Sequence, residues 1–169
     1  RALMRPTIPE LRQWRPAAIS AAGAAAQAAS DLVDAATRRI VRAVDATTWS
    51  GVTAVAAERF VDDTDVRARQ IRRMLVEIAE EAARAGADLA RARAVVLGEV
   101  DGVIADGYAV TDDGHVTGRD GPDERSRTAE VRIRNGMNVI DAVDEHCGAR
   151  IDELVAAIPG AAIPAGGGG

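Results

Sequence analysis

The chain contains no lysine and one cysteine, and its 169 residues include two tryptophans, one tyrosine, one phenylalanine and two histidines. Each scarcity closes off a class of protein. A single thiol, Cys147, permits no internal disulfide, so the fold cannot rest on a covalent framework. Aromatic residues make up 2% of the sequence, too few to line a deep aromatic ligand pocket. No apolar run approaches the roughly 18–20 residues that a membrane-spanning helix needs, and no signal-peptide pattern opens the chain. The 21 basic residues are all arginine and are outnumbered by 26 acidic ones, giving a net charge of −5. That balance opposes wholesale neutralisation of nucleic-acid phosphates, so no nucleic-acid partner is expected.

The sequence is rich instead in Ala, Val, Ile and Leu at helical spacing. "TIPELRQW", Thr7 to Trp14, reads as a short helical lead-in with Pro9 near its start, and Trp14 as its anchor on the rest of the fold. Pro16 suits the first turn of a second helix, where its missing N–H is needed by no partner. From there Ile19, Ala22, Ala26, Ala29, Val33, Ala36, Ile40 and Ala43 alternate spacings of three and four, the mark of a helical stripe close to a heptad seam. "TTWSG" should end that helix, with Ser50 placed to cap the next. Beyond it Ala57, Val61, Thr64, Ala68, Ile71, Leu75, Ile78, Ala82, Ala85, Leu89, Ala92 and Val96 continue the alternation. A helix from Ser50 to about Ala105 would be roughly 80 Å long at 1.5 Å per residue. Gly86, Gly98 and Gly102 are where it is expected to bend or fray.

"GYAVTDDGHVTG" breaks the helical period. It reads as a small β-hairpin turning at Gly114, or as a helix end decaying into a loop. A last helix is predicted from about Glu124 to Ile158, with the stripe Ile133, Met137, Ile140, Asp144, Cys147, Ile151, Leu154, Ile158. The closing "AAIPAGGGG" reads as a linker, so the chain is expected to be part of a longer protein. The predicted fold is therefore all-α: an elongated antiparallel long-helix hairpin plus a third helix, with a small β-hairpin near one end. Its segments are a lead-in (1–15), the hairpin (16–106), the β-hairpin (107–118), the last helix (124–158) and a tail (159–169).

Trp49-Ser50-Gly51, set between two amphipathic helices, resembles the Trp-x-Gly turn of the WXG100 family and of related helical-hairpin domains exported by type VII (ESX) secretion systems. Tyr108-Ala-Val-Thr-Asp112 fits the Tyr-x-x-x-Asp/Glu pattern that such substrates carry after the second helix. "IPELRQWRPAAI" is similar to the lead-in of larger actinobacterial proteins that join such a domain to a toxin or hydrolase. The resemblance covers about Thr7 to Thr117. It implies a secretion substrate or its targeting domain, with Trp49, Gly51, Tyr108 and Asp112 read by the secretion machinery. It further implies export to the medium or cell envelope without a cleaved signal, after synthesis in the cytoplasm. The implied partners are helical: a WXG100-type pair, a secretion chaperone, a secretion ATPase, or a second copy of the chain. Ile71, Leu75, Ile78, Leu89 and Val96 form the seam expected to meet the partner if the last helix leaves it uncovered.

Residues that could carry chemistry do not assemble into a recognisable site. His146 and Cys147 are adjacent on a helix and point about 100° apart, so they cannot act as base and nucleophile on one another. His115, Asp112, Asp113, Asp120 and Asp123 lack the spacing of a calcium loop or a zinc site and read as a solvated acidic loop. No P-loop, dinucleotide fingerprint or nucleophile elbow occurs. Neither catalysis nor a cofactor or metal is expected within these residues. The alternative to secretion is a structural coiled-coil scaffold or adaptor.

Overall fold

The computed structural model describes residues 5–158, and the linker-like tail predicted from 159 onward lies outside them. Among the described residues the chain is all-α with a small β insertion. It comprises helices α1 (Ile8–Gln13), α2 (Ala17–Asp45), α3 (Gly51–Ala105) and α4 (Glu124–Ala156), and strands β1 (Ala109–Val110) and β2 (Val116–Thr117). The strands pair antiparallel, Ala109 with Thr117 and Val110 with Val116. The helix starts and stops lie within one to three residues of those the sequence predicts.

The residues group into two compact units that cut across the order of the chain. Among the described residues, one comprises residues 5–20 and 83–148, the other residues 21–82 and 149–158. The helices α3 and α4 each contribute to both, because each is longer than the stretch of core it helps to enclose.

The first unit holds the core. Leu89, Val96, Val100 and Val103 of α3 meet Ala129, Ile133, Met137 and Ile140 of α4, with Ile8 and Leu11 of α1 and Val116 of β2 completing the cluster. Helices α3 and α4 approach closely at Gly136, where an added Cβ would collide with the side chain of Val96. At its C-terminus α3 stops in a Schellman motif. Tyr108 N–H donates to Val103 O (3.0 Å) and Gly107 N–H to Ile104 O (3.0 Å), and Tyr108 and Val103 both pack in the core. That pairing of hydrogen bonds and apolar contact is how a helix commonly satisfies its last carbonyls.

Helix α4 then begins with a reciprocal cap. Ser126 N–H donates to Asp123 Oδ1 (2.7 Å), and Asp123 N–H donates to Ser126 Oγ (3.0 Å). Ser126 is buried, so its hydroxyl needs these partners. Helix α1 owes its existence at six residues to a capping box between Thr7 and Glu10, with Pro9 in its first turn. Its far end is tied down by Arg93, whose guanidinium donates to Leu11 O (2.6 Å) and Arg12 O (2.9 Å).

In the second unit α2 and α3 run antiparallel. Arg72 pairs with Asp34, while nearer the turn Val44 and Val61 line a common cleft. Its fully buried positions are Gly23, Ser30, Ala68, Ala82 and Leu154. Small residues let the α2 and α3 axes approach but remove little apolar area from water at each contact.

Two expectations need correction. Helix α3 is unbroken through Gly86, Gly98 and Gly102, since packing on the flanking turns outweighs a glycine penalty of about 1 kcal/mol. On α2, Ala36, Ile40 and Ala43 are exposed, and Thr37, Val41 and Val44 take the inner side instead. The stripe holds at Ile19, Ala26, Ala29 and Val33 and is displaced by one residue from Ala36 onward, where apolar residues occur on both faces.

Candidate functional site

The turn joining α2 to α3 is built by Trp49 and Gly51. Helix α2 ends with carbonyls that have no intrahelical partner. Val44 O is taken by the backbone N–H of Thr47 (3.1 Å) and by the indole Nε1–H of Trp49 (3.0 Å), while Thr47 Oγ1 donates to Ala43 O (2.9 Å). Trp49 is thus a side-chain cap on α2. Gly51 opens α3 at φ +58°. A side chain there would cost roughly 1–2 kcal/mol in backbone strain, although an added Cβ would meet no atom within 4 Å. Glycine is therefore required at this corner by its backbone torsion alone.

Capping does not bury the Trp49 ring: the residue remains 42% exposed. Around it lies an open cleft of about 490 Å³ whose lining includes Val44, Trp49, Ala57 and Val61, with Asp45, Glu58 and Asp62 on its polar side. Continuing along α3 from the corner, Val52 is 87% exposed, Val55 48% and Phe60 55%. These three apolar residues lie off the inner stripe, so its periodicity does not mark them. Their signal was the i, i+3 spacing of Val52 and Val55 on the outer side, followed by the only phenylalanine.

Tyr108 and Asp112 are placed differently from one another. Tyr108 follows the Schellman turn and immediately precedes β1, so it stands between the helix end and the strand that the sequence left as alternatives. Its hydroxyl donates to Asp123 Oδ2 (2.6 Å). This bond holds the Asp123 carboxyl below its ordinary range, with the Ser126 backbone N–H adding to the effect. In return it pushes the Tyr108 hydroxyl above its ordinary value. Asp112 lies in the β-hairpin turn, where its carbonyl accepts from Ile8 N–H (2.8 Å) and fastens the lead-in to the hairpin. Both residues belong to the first unit, Trp49 and Gly51 to the second.

The predicted seam divides in the same way. Ile71, Leu75 and Ile78 are half-buried. Leu89 and Val96 are 1% and 0% exposed, covered by α1 and α4 within the chain itself. Those two are core residues and present no surface to a partner, which corrects their assignment to the seam.

The residues weighed for chemistry stay dispersed. Cys147 is buried, while the neighbouring His146 is exposed. His115 Nδ1 lies 2.6 Å from Glu130 Oε2, which ties the β-hairpin to α4. Among the described residues no group of three His, Cys, Asp or Glu side chains is arranged to hold a metal ion. No described helix is long and apolar enough to cross a membrane. Comparison with known protein families, curated proteins and solved structures returns no match to the chain.

Proposed function

We propose that the chain is a type VII (ESX) secretion substrate, or the targeting domain of one, acting by helix–helix recognition of secretion machinery and helical partner proteins. The observation that carries this reading is the Trp49 corner. Its indole N–H is spent on capping α2 while the residue stays 42% exposed over the cleft lined by Val44, Ala57 and Val61. The first turns of α3 that follow it carry the exposed Val52, Val55 and Phe60. Exposed aromatic and apolar side chains of this kind support contact with another protein. The antiparallel pair of long helices supplies a scaffold for such contact, with Ile71, Leu75 and Ile78 as the half-buried part of the seam. Tyr108 would serve as a second recognition point through its ring face, since its hydroxyl is engaged by Asp123.

Export from a host carrying a type VII system tests the proposal. Trp49→Ala and Gly51→Ala should lower the amount of protein in the culture filtrate while the helical circular dichroism signal is retained. Trp49→Phe, which keeps a ring but loses the capping N–H, should export better than Trp49→Ala. Wild-type export of all three variants would remove recognition of the corner and leave only its capping role.

A further inference from the structure

The first unit carries an open groove between α1 and α4 that the secretion reading does not use. It encloses about 470 Å³, within the size range of small-ligand sites, about 300–1,000 Å³. Leu11, Trp14 and Ile140 supply apolar lining, and Glu10, Asp141 and Asp144 supply three carboxylates with no basic residue among the lining. Arg5, next to the lining residue Pro6, is bound to Asp141 (3.2 Å) and to Asn138. Glu10 uses one oxygen, Oε2, on Thr7, and Asp144 has no hydrogen bond or ion pair among the described residues. The groove therefore keeps net negative charge beside a tryptophan.

Its walls are fixed in advance. Ile8 and Leu11 are buried, α1 is closed by its capping box, and Arg93 holds the α1 carbonyls from below. A rigid acidic groove with an aromatic wall is complementary to a cation that also offers a flat apolar face. Arginine fits that description better than lysine, because its planar guanidinium stacks on an indole and forks onto carboxylates.

We propose that this groove docks an arginine-bearing segment of a partner protein, with the guanidinium against the half-buried Trp14 and within reach of Asp144, over a floor closed by the buried Leu11 and Ile140. The site is separate from the Trp49 corner, and the inference stands whether or not that corner directs export.

The test uses the full chain carrying Trp49→Phe, so that Trp14 is its only tryptophan. It is titrated with acetyl-Leu-Arg-Leu-amide and with the matched citrulline peptide, which keeps the shape of arginine without its charge. The expected result is a saturable change in Trp14 emission with the arginine peptide, weakened about tenfold or more by citrulline. Asp144→Asn should weaken it comparably while leaving the thermal midpoint unchanged. The proposal is overturned by an unsaturable or absent response to the arginine peptide, by equal responses to the two peptides, or by full binding in Asp144→Asn. It is also overturned if Trp14 emission shifts on concentrating the protein alone, since a second copy would then fill the groove.

Discussion

In the unit built from residues 5–20 and 83–148, Leu89, Val96, Val100, Ile133 and Met137 are each at most 1% exposed. In the other unit the fully buried positions are mostly small, and Leu32, Val52, Val55, Phe60 and Val66 stand 48–87% exposed. The same helix, α3, runs through both with one uninterrupted period. What changes is how deeply its large side chains are buried: Val61, Ile71, Leu75 and Ile78 are half-buried, whereas Leu89, Val96, Val100 and Val103 are fully buried. Fully burying a large side chain contributes about 1.5–3 kcal/mol, and half-burial correspondingly less. Large apolar side chains stand exposed in both units, Val95, Ile104, Val131 and Val139 in the first among them, but the buried core cluster lies in the first. Low burial and exposed apolar side chains are the properties expected of a region that meets partners and opens locally at low free energy.

The sharpest break of this contrast is a charge placed at matched stripe positions on α3. Leu89→Glu puts an unpaired carboxylate into the core and should cost more than about 4 kcal/mol, enough to unfold its unit. Leu75→Glu, at a half-buried position, should cost about 1–2 kcal/mol and leave the chain folded. Urea unfolding followed by circular dichroism distinguishes them, and equal losses would erase the difference between the units. A smaller effect comes from the glycines. Gly136→Ala forces a methyl group against Val96 and should destabilise by roughly 1–3 kcal/mol through overpacking. Gly51→Ala meets no neighbour and should cost about 1 kcal/mol, through its torsion only.

The pH dependence of the first unit sharpens the comparison further. The Asp123 carboxyl is depressed below its ordinary value of 3.8 when folded. Its contribution is therefore fully present above that value and is lost as pH falls through the folded value. Tyr108 is raised above 10.0, so its contribution is present below pH 10.0 and is lost as pH rises through the folded value. Protection of the amides at the start of α4, taken relative to their intrinsic exchange rate at each pH, should fall at both extremes in the wild type. In Tyr108→Phe the alkaline effect should disappear and the acid effect should shrink. An unchanged profile in that variant would mean the Tyr108–Asp123 bond does not couple the two groups.

How far the fold could be read from the sequence follows the same division. Along α3 every stripe position from Ala57 to Val96 is buried or half-buried, because Val, Ile and Leu fall among the alanines and fix the face. Along α2 the expected stripe matches at Ile19, Ala26, Ala29 and Val33 but slips by one residue from Ala36 to Ala43, where "AATRRIVRAV" places small or apolar residues on both sides. The bend at Trp49 was legible from its residue types, and the hairpin from Asp-Asp-Gly. The reciprocal cap of Asp123 and Ser126 had a local signature three residues apart. The grip of Arg93 on Leu11 and Arg12, and the burial of Leu89 and Val96 by α1 and α4, depend on contacts between distant segments. No periodicity within one helix could reveal which neighbour covers it.

The smallest expected change in stability accompanies the largest expected change in function. Val52, Val55 and Phe60 replaced together by serine should alter stability by no more than about 0.5 kcal/mol at each site, since each is largely exposed. The decisive measurement is the ratio of secreted to cell-associated protein for this triple variant in a host with a type VII system. The account predicts a ratio at least about tenfold below wild type, with an unchanged thermal midpoint. Wild-type export of the folded triple variant would contradict it, and would show that the exposed apolar side chains following Trp49 along α3 are not a recognition surface.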